Sequence, residues 1–145
     1  MYADNDYKFV AVLNEKIEMH RLLNALGHMT AGLVSQASDP ASMRFLCYKD
    51  ADGGLHPAIS HYPFIVLSAR NGNQIRTLRQ GAIEAGLVYN DFVATMIGSS
   101  AENQLAKTQA AREADLEYFG ICLFGPSEVL GGLTRKFSLF KGGGS

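Results

Sequence analysis

One histidine, His28, stands where it could do chemistry. It lies in the segment from Met19 to Ser35, in which apolar residues recur at helical spacing. Because a helix turns by about 100° per residue, His28 shares a side with Arg21 and Asn24 rather than with the leucines. An imidazole with a pKa of about 6.5 exchanges a proton at neutral pH. The pattern predicts either a proton carrier, with Asn24 orienting a substrate or the ring, or a partly buried histidine with a structural hydrogen bond.

Two serines, Ser99 and Ser100, form the second candidate group. Ser99 with Glu102 fits a capping box, so the simplest interpretation is that the serines begin a helix. The functional interpretation places a hydroxyl and the N–H groups of the helix start beside His28, where they could bind an anion. A Ser–His nucleophilic pair would use the same residues, but the chain has no nucleophile-elbow motif.

Metal and cofactor motifs are missing from the sequence. His56 and His61 flank a turn at spacing that matches no known metal site, and turn chemistry is the better interpretation. Cys47 and Cys122 lie in apolar runs, so both are predicted to be buried free thiols. The first strand is not followed by a Gly-x-Gly-x-x-Gly motif, which argues against a dinucleotide site. We expect neither a metal nor a cofactor.

Composition indicates one globular domain. The 145 residues carry 13 Lys and Arg against 14 Asp and Glu, and this net charge of −1 supplies no overall field to attract nucleic acid. We expect a single domain over residues 1–141, and residues 142–145, Gly-Gly-Gly-Ser, look like the remnant of an engineered linker. Local basic clusters such as Arg70, Arg76 and Arg79 are interpreted as solvated faces.

Targeting signals are also missing from the sequence. The first six residues are polar and acidic, unlike a signal peptide, and no apolar run approaches the roughly 20 residues of a membrane span. The sequence therefore favours a cytoplasmic protein that does not insert into a membrane.

The elements that must position these residues alternate between strand and helix. The predicted strands are residues 8–13, 64–67, 88–97 and 116–124, and the predicted helices are residues 19–35, 71–86, 99–114 and 127–133. An Asp-Gly-Gly turn at residues 52–54 predicts a small hairpin between residues 43 and 59, at the edge of the main sheet. This alternation is typical of an α/β domain with helices on both faces of a mostly parallel sheet.

Two stretches carry a family resemblance. In this order along the chain, the two stretches resemble the type II peptidyl-tRNA hydrolases. The first is KFVAVLNEKI followed by LLNALGHMTAGL, and the second is GICLFGPSEVLGGLTRKFSLF. The chain is similar also to an uncharacterised bacterial family of that fold, in which the Asp-Gly turn and following His-Pro of residues 52–57 recur. The resemblance covers residues 8–140. It implies a three-layer α/β/α sandwich, a four-stranded mixed sheet with one antiparallel strand at residues 116–124, and a homodimer.

The resemblance also assigns site residues. His28 falls on the hydrolase histidine, Arg21 on a lysine and Ala25 on a glutamine. The hydrolase turn Asp-Ala-Gly-Arg-Thr matches residues 96–100, where Met96 replaces the acid and only the hydroxyl of Ser100 is retained. The carboxylate that would orient the histidine or activate water is therefore absent from its expected position.

Two functions follow from these observations. The first is a protein of peptidyl-tRNA hydrolase II-like fold, without that hydrolase activity, which binds a small or anionic ligand or a partner near His28. Arg21, Asn24 and Ser99 are then the expected binding residues. The alternative is a hydrolase of esters or amides, with His28 as general base and Ser100 as its catalytic partner. A tRNA substrate is disfavoured because its binding depends on neutralising phosphates.

Overall fold

The computed structural model describes residues 5–141, which form four helices and seven strands. The strands are β1 (Tyr7–Asn14), β2 (Phe45–Lys49), β3 (Leu55–Ser60), β4 (Phe64–Ala69), β5 (Val88–Val93), β6 (Tyr118–Pro126) and β7 (Ser138–Leu139). The helices are α1 (Met19–Gln36), α2 (Gly72–Glu84), α3 (Ala101–Ala110) and α4 (Ser127–Thr134). The expected linker remnant at residues 142–145 lies outside the described residues.

Five strands form one mixed sheet in the order β5–β6–β1–β4–β7. Strand β6 runs antiparallel to both β1 and β5, which confirms the antiparallel strand predicted over residues 116–124. The predicted count of four strands is wrong, because β7 pairs antiparallel with β4 at the sheet edge. The expectation of a mostly parallel sheet is also wrong. Since β6 lies between β5 and β1, β1–β4 is the one parallel pairing among the described strands.

Helices cover both faces of this sheet. Along β1, Val10 and Val12 pack towards α2 and α4, whereas Phe9, Ala11 and Leu13 pack towards α1. Side chains alternate between the faces of a strand, so a strand covered on both sides needs an unbroken apolar sequence. The described residues therefore form three layers, α/β/α, with one core on each side of the sheet.

Two predicted elements end several residues earlier in the structure than the sequence predicts. The strand predicted over residues 88–97 ends at Val93 and continues as a 3-10 turn, Ala94–Met96. The helix predicted over residues 99–114 is α3, which ends at Ala110. Ser100, not Ser99, caps this helix, because its side chain accepts a hydrogen bond from the N–H of Asn103 at 3.1 Å.

The hairpin β2–β3 forms at the predicted Asp-Gly turn, but as a separate two-stranded sheet rather than as an edge of the main sheet. Its root is closed by a hydrogen bond from the His61 N–H to the Arg44 carbonyl oxygen, at 3.1 Å. The hairpin carries Cys47, which is exposed, so its predicted burial is wrong; Cys122 is buried in β6 as predicted.

None of the described helices combines the length and the hydropathy that a membrane span requires.

Candidate functional site

A cavity of about 280 Å³ lies beside His28, between the middle of α1, the end of β5 and the start of α3. Its polar lining is His28, Asn90, Asp91 and Gln104, and its apolar lining is Met29, Phe92 and Met96. The cavity therefore combines an imidazole, two amides and one carboxylate with an apolar surface.

His28 reaches this cavity because of its place on α1. The helix buries Leu22, Ala25, Met29 and Leu33 against the sheet. His28 precedes Met29 and so lies beside the buried stripe, where it is exposed. Its ring stacks on Phe92, with centroids 6.1 Å apart and planes inclined by 27°. Phe92 is itself 5% exposed, so the imidazole rests on a fixed surface.

Asn90 connects β5 to the same turn of α1. Its Nδ2 donates to the Met29 carbonyl oxygen at 3.1 Å, and its Oδ1 accepts from the Asp91 N–H at 3.1 Å. A Cβ at Gly32 would overlap the Asn90 amide, so the missing side chain at Gly32 makes room for this contact. The Asn90 amide is consequently held in one orientation at the cavity wall.

Asp91 is paired with a cation from α2. Arg79 Nε donates to Asp91 Oδ2 at 2.8 Å, and the two side chains are 28% and 15% exposed. Burial by itself would lower the pKa of Arg79, but the hydrogen bond to Asp91 and nearby negative charge raise it above its ordinary value. The one carboxylate in the lining therefore has its charge already compensated.

Gln104 comes from α3 and is held more loosely. Its Nε2 donates to the Gly98 carbonyl oxygen at 3.4 Å, a long hydrogen bond. Within the described part of the chain, the amide oxygen of Gln104 accepts no hydrogen bond, so it is available to a ligand. This side chain can therefore adjust to an occupant more readily than Asn90.

The cavity does not include the other residues that the sequence singled out. Arg21 pairs with Glu18, with Nε 3.5 Å from Oε1, and both Arg21 and Asn24 are exposed on α1 outside the lining. Ser99 is exposed and Ser100 caps α3, so neither hydroxyl lines the cavity. The structure thus brings His28 together with Asn90, Asp91 and Gln104 instead.

Sequence reasoning missed these partners for different reasons. Asn90 and Asp91 interrupt an otherwise apolar strand, Val88–Val93, and that pair of polar residues was a usable signal. Gln104 carries no such signal, because it is one of several polar residues in α3. Within residues 5–141, no group of three or more His, Cys, Asp or Glu is placed to hold a metal ion.

Comparisons with known proteins identify a family but no activity. A family model described as "Protein of unknown function (DUF2000)" matches residues 7–141. A solved structure of Atu0240, a protein of unknown function from Agrobacterium tumefaciens strain C58, is 18% identical, with a TM-score of 0.78 over 97% of this chain and 100% of that chain. At this identity the likeness shows the fold alone. No curated protein matches the chain. Because the family match spans nearly all of the sequence, the chain belongs to the DUF2000 family of proteins of unknown function.

Proposed function

We propose that this protein binds a small ligand in the cavity beside His28 and does not hydrolyse peptidyl-tRNA. The observation that carries the proposal is the convergence of His28, Asn90 and Gln104 on one cavity of about 280 Å³ with an apolar floor. Ligand sites typically combine apolar walls with a few placed polar groups, in volumes of about 300–1,000 Å³. An imidazole can donate or accept a hydrogen bond, and when protonated it also attracts an anion.

The finer fold assignment is part of the proposal: we infer a peptidyl-tRNA hydrolase II-like domain over residues 1–141. The two stretches that carry the resemblance lie in β1–α1 and β6–α4, and β1 and β6 are neighbours in the sheet. In that correspondence Ala25, at the glutamine position, is fully buried, and Met96, at the acid position, lines the cavity. Apolar side chains at both positions favour binding over hydrolysis.

The alternative function is hydrolysis of an ester or amide, with His28 as general base. The exposure of the imidazole on a cavity favours it. Two contacts argue against it: Asp91 is paired with Arg79, and the Ser100 hydroxyl is occupied as a helix cap. A general base without an orienting carboxylate or a nearby nucleophile is poorly equipped for this reaction.

We propose that the protein works in the cytoplasm, where a reducing environment suits the two free thiols. We propose that it forms a homodimer. A ligand longer than the cavity would extend along α1 towards Asn24 and Arg21, one and two turns before His28, or past α3 towards Ser99 and Ser100.

A ligand-observed NMR screen tests the binding proposal. The probes are small carboxylates, amides and heteroaromatic compounds, measured with the unmodified protein, His28→Ala and the matched control His20→Ala. His20 is exposed in the first turn of the same helix. We expect the affinity of at least one probe to fall about tenfold in His28→Ala and to stay unchanged in His20→Ala. A tenfold loss corresponds to about 1.4 kcal/mol, which is the typical contribution of one hydrogen bond.

Two results would contradict the proposal: no probe binds, or binding is indifferent to His28→Ala. Arg21→Ala, Asn24→Ala and Ser99→Ala then show whether the ligand extends beyond the cavity. The same proteins, assayed against peptidyl-tRNA and generic esters, are expected to give no turnover. Turnover that disappears in His28→Ala would establish the hydrolase alternative instead.

A further inference from the structure

The cavity beside His28 has no permanent charge with which a ligand could pair. Asp91 is paired with Arg79 of α2, and within the described part of the chain no Lys or Arg lines the cavity. An anionic ligand would therefore find no partner except His28, and only while that imidazole is protonated. Because burying a charge without a partner is costly, the lining favours an uncharged ligand.

The carboxamide of Gln104 is the lining group whose hydrogen-bonding capacity is used least. Within residues 5–141 its oxygen accepts no hydrogen bond, and its Nε2 makes one long contact, 3.4 Å from the Gly98 carbonyl oxygen. Asn90, by contrast, uses both ends of its amide within the protein. A carboxamide presents an N–H and a C=O side by side in one plane, so it pairs best with a ligand that offers the complementary C=O and N–H at neighbouring atoms. Glutamine reads adenine through a pair of hydrogen bonds of this kind.

The apolar part of the lining suits a flat ring. His28 and Phe92 lie ring over ring, and Phe92 is buried, so together they form an aromatic wall. Met29 and Met96 supply the other apolar contacts, and methionine sulfur packs favourably against aromatic rings. Heterocyclic bases stack on histidine and phenylalanine side chains in RNA-binding proteins, which shows that such a wall can hold the face of a heterocycle.

The size of the cavity limits the ligand to one ring system. Its volume is about 280 Å³. A cavity of about 150 Å³ holds one benzene molecule, so a bicyclic ring of about ten atoms fits in the larger volume. A sugar or phosphate attached to such a ring would lie outside the lining, where no Lys or Arg of the cavity could bind it.

We propose that the ligand is an uncharged, flat heterocycle with an N–H and a C=O at neighbouring ring positions, as in a lactam or an oxo-substituted purine or pyrimidine base. The Gln104 carboxamide binds that edge through two hydrogen bonds, and the wall of His28 and Phe92 binds the face. The inference rests on the ligand-binding function proposed above and names the class of ligand. It also gives a function to α3, which buries no residue of its own: the helix carries the side chain that selects the ligand.

A matched pair of ligands tests the edge. Carbostyril is a benzo-fused lactam, and its N-methyl derivative carries a methyl group in place of the N–H. We expect carbostyril to bind the unmodified protein about tenfold more tightly, because the N-methyl compound leaves the Gln104 oxygen without a donor. Hypoxanthine and uracil present the same edge and are expected to compete with carbostyril. Ligand-observed NMR titration measures each affinity.

Substitutions of Gln104 test which residue reads that edge. Gln109→Leu is the matched control, because Gln109 is an exposed residue of the same helix. Gln104→Leu should weaken carbostyril binding about tenfold and remove its advantage over the N-methyl compound, whereas Gln109→Leu should change neither. Gln104→Glu exchanges the donor for a second acceptor, so it should bind carbostyril weakly and prefer aminobenzimidazole, a cyclic guanidine with neighbouring donors. A merely structural role of Gln104 would not exchange the preferred ligand.

The outcomes separate the ligand class from the binding function itself. Lactam binding that depends on Gln104 supports both. Equal affinities for carbostyril and its N-methyl derivative, or equal behaviour of Gln104→Leu and Gln109→Leu, would overturn the ligand class. Binding of carboxylates alone, lost in His28→Ala, would also overturn the class but leave the binding function standing. If no probe binds, both proposals fall.

Discussion

At the scale of single residues, the cavity beside His28 is held in place before any ligand is present. His28 rests on the buried ring of Phe92, and Asn90 is hydrogen-bonded at both ends of its amide. Gly32 permits the second contact, because any side chain there would overlap the Asn90 amide. Polar groups that are already oriented lose less freedom when a ligand binds, which raises affinity.

Two glycines of α1 provide a matched test of that arrangement. Alanine normally stabilises a helix by about 1 kcal/mol relative to glycine. A Cβ at Gly27 would meet nothing within 4 Å, so Gly27→Ala should raise the free energy of unfolding by about that amount. Gly32→Ala must displace Asn90, and we expect a loss of about 1 kcal/mol from the broken hydrogen bond instead of this gain.

Urea unfolding measures the free energy of unfolding of each variant. Any NMR probe that binds in the cavity should bind more weakly to Gly32→Ala and equally well to Gly27→Ala. Equal effects of the two substitutions would show that Asn90 does not depend on Gly32.

At the scale of elements, a clamp centred on Arg76 joins α2 to the start of β6. Its Nε donates to Glu113 Oε2 at 2.8 Å, and its Nη2 donates to the Leu116 carbonyl oxygen at 2.7 Å. The guanidinium also lies 5.1 Å from the ring centroid of Tyr118, whose hydroxyl donates to the same Glu113 oxygen. Burial, followed by this hydrogen bond, raises the pKa of Tyr118 to about 12. The interpretation of Arg76 and Arg79 as a solvated face is therefore wrong.

The clamp predicts a difference between two arginines of one basic cluster. Arg76→Lys keeps the charge but loses the planar fork that reaches Glu113 and Leu116 together, so we expect a loss of about 1–3 kcal/mol in the free energy of unfolding. Arg70→Lys is the control, because Arg70 is exposed and its hydrogen bond to Gln74 uses the backbone N–H, which the substitution leaves in place. Denaturant unfolding of both variants checks this, and equal stabilities would show that the clamp contributes nothing.

At the scale of the whole molecule, β6 lies at the centre of the packing. Eight of its nine residues are buried, and it is hydrogen-bonded to strands on both sides. Cys122 lies in this strand, and burial raises the pKa of its thiol to about 12, although a hydrogen bond with Thr30 opposes the shift. Only the thiolate reacts with disulfide reagents, so a buried thiol of this kind is protected by both access and protonation.

Cys122 should therefore report opening of the whole core. In the Cys47→Ser variant, the remaining thiol is expected to resist an aromatic disulfide reagent at about pH 8 and to react at once in denaturant, where thiol pKa values return to about 8.5. Partial destabilisation by Arg76→Lys in the same background should accelerate the native reaction by about tenfold for each 1.4 kcal/mol of stability lost. Fast labelling of the folded Cys47→Ser variant would mean that β6 is not the stable centre proposed here. Absorbance of the released aromatic thiol measures each rate.

The sequence by itself determined the succession of elements. Apolar runs of strand length mark β1 and β6, the spacing of Leu22, Met29 and Leu33 marks α1, and the Asp52-Gly53 turn marks the hairpin. These features depend on neighbours in the chain, which is why periodicity and turn chemistry are sufficient to find them. The same periodicity placed His28 beside the buried stripe of α1, where the structure has it.

Only the tertiary structure decided which elements meet. Local pattern does not determine that β7, two residues long, pairs with β4, since so short a segment has no periodicity of its own. Nor does it bring Asn90 and Gln104 to the same cavity as His28, because both lie more than 60 positions after His28 in the chain. Approach over such distances depends on how whole faces of helices and strands pack. In this structure the packing places residues of β5 and α3 around the cavity beside His28, while Ser100 caps α3.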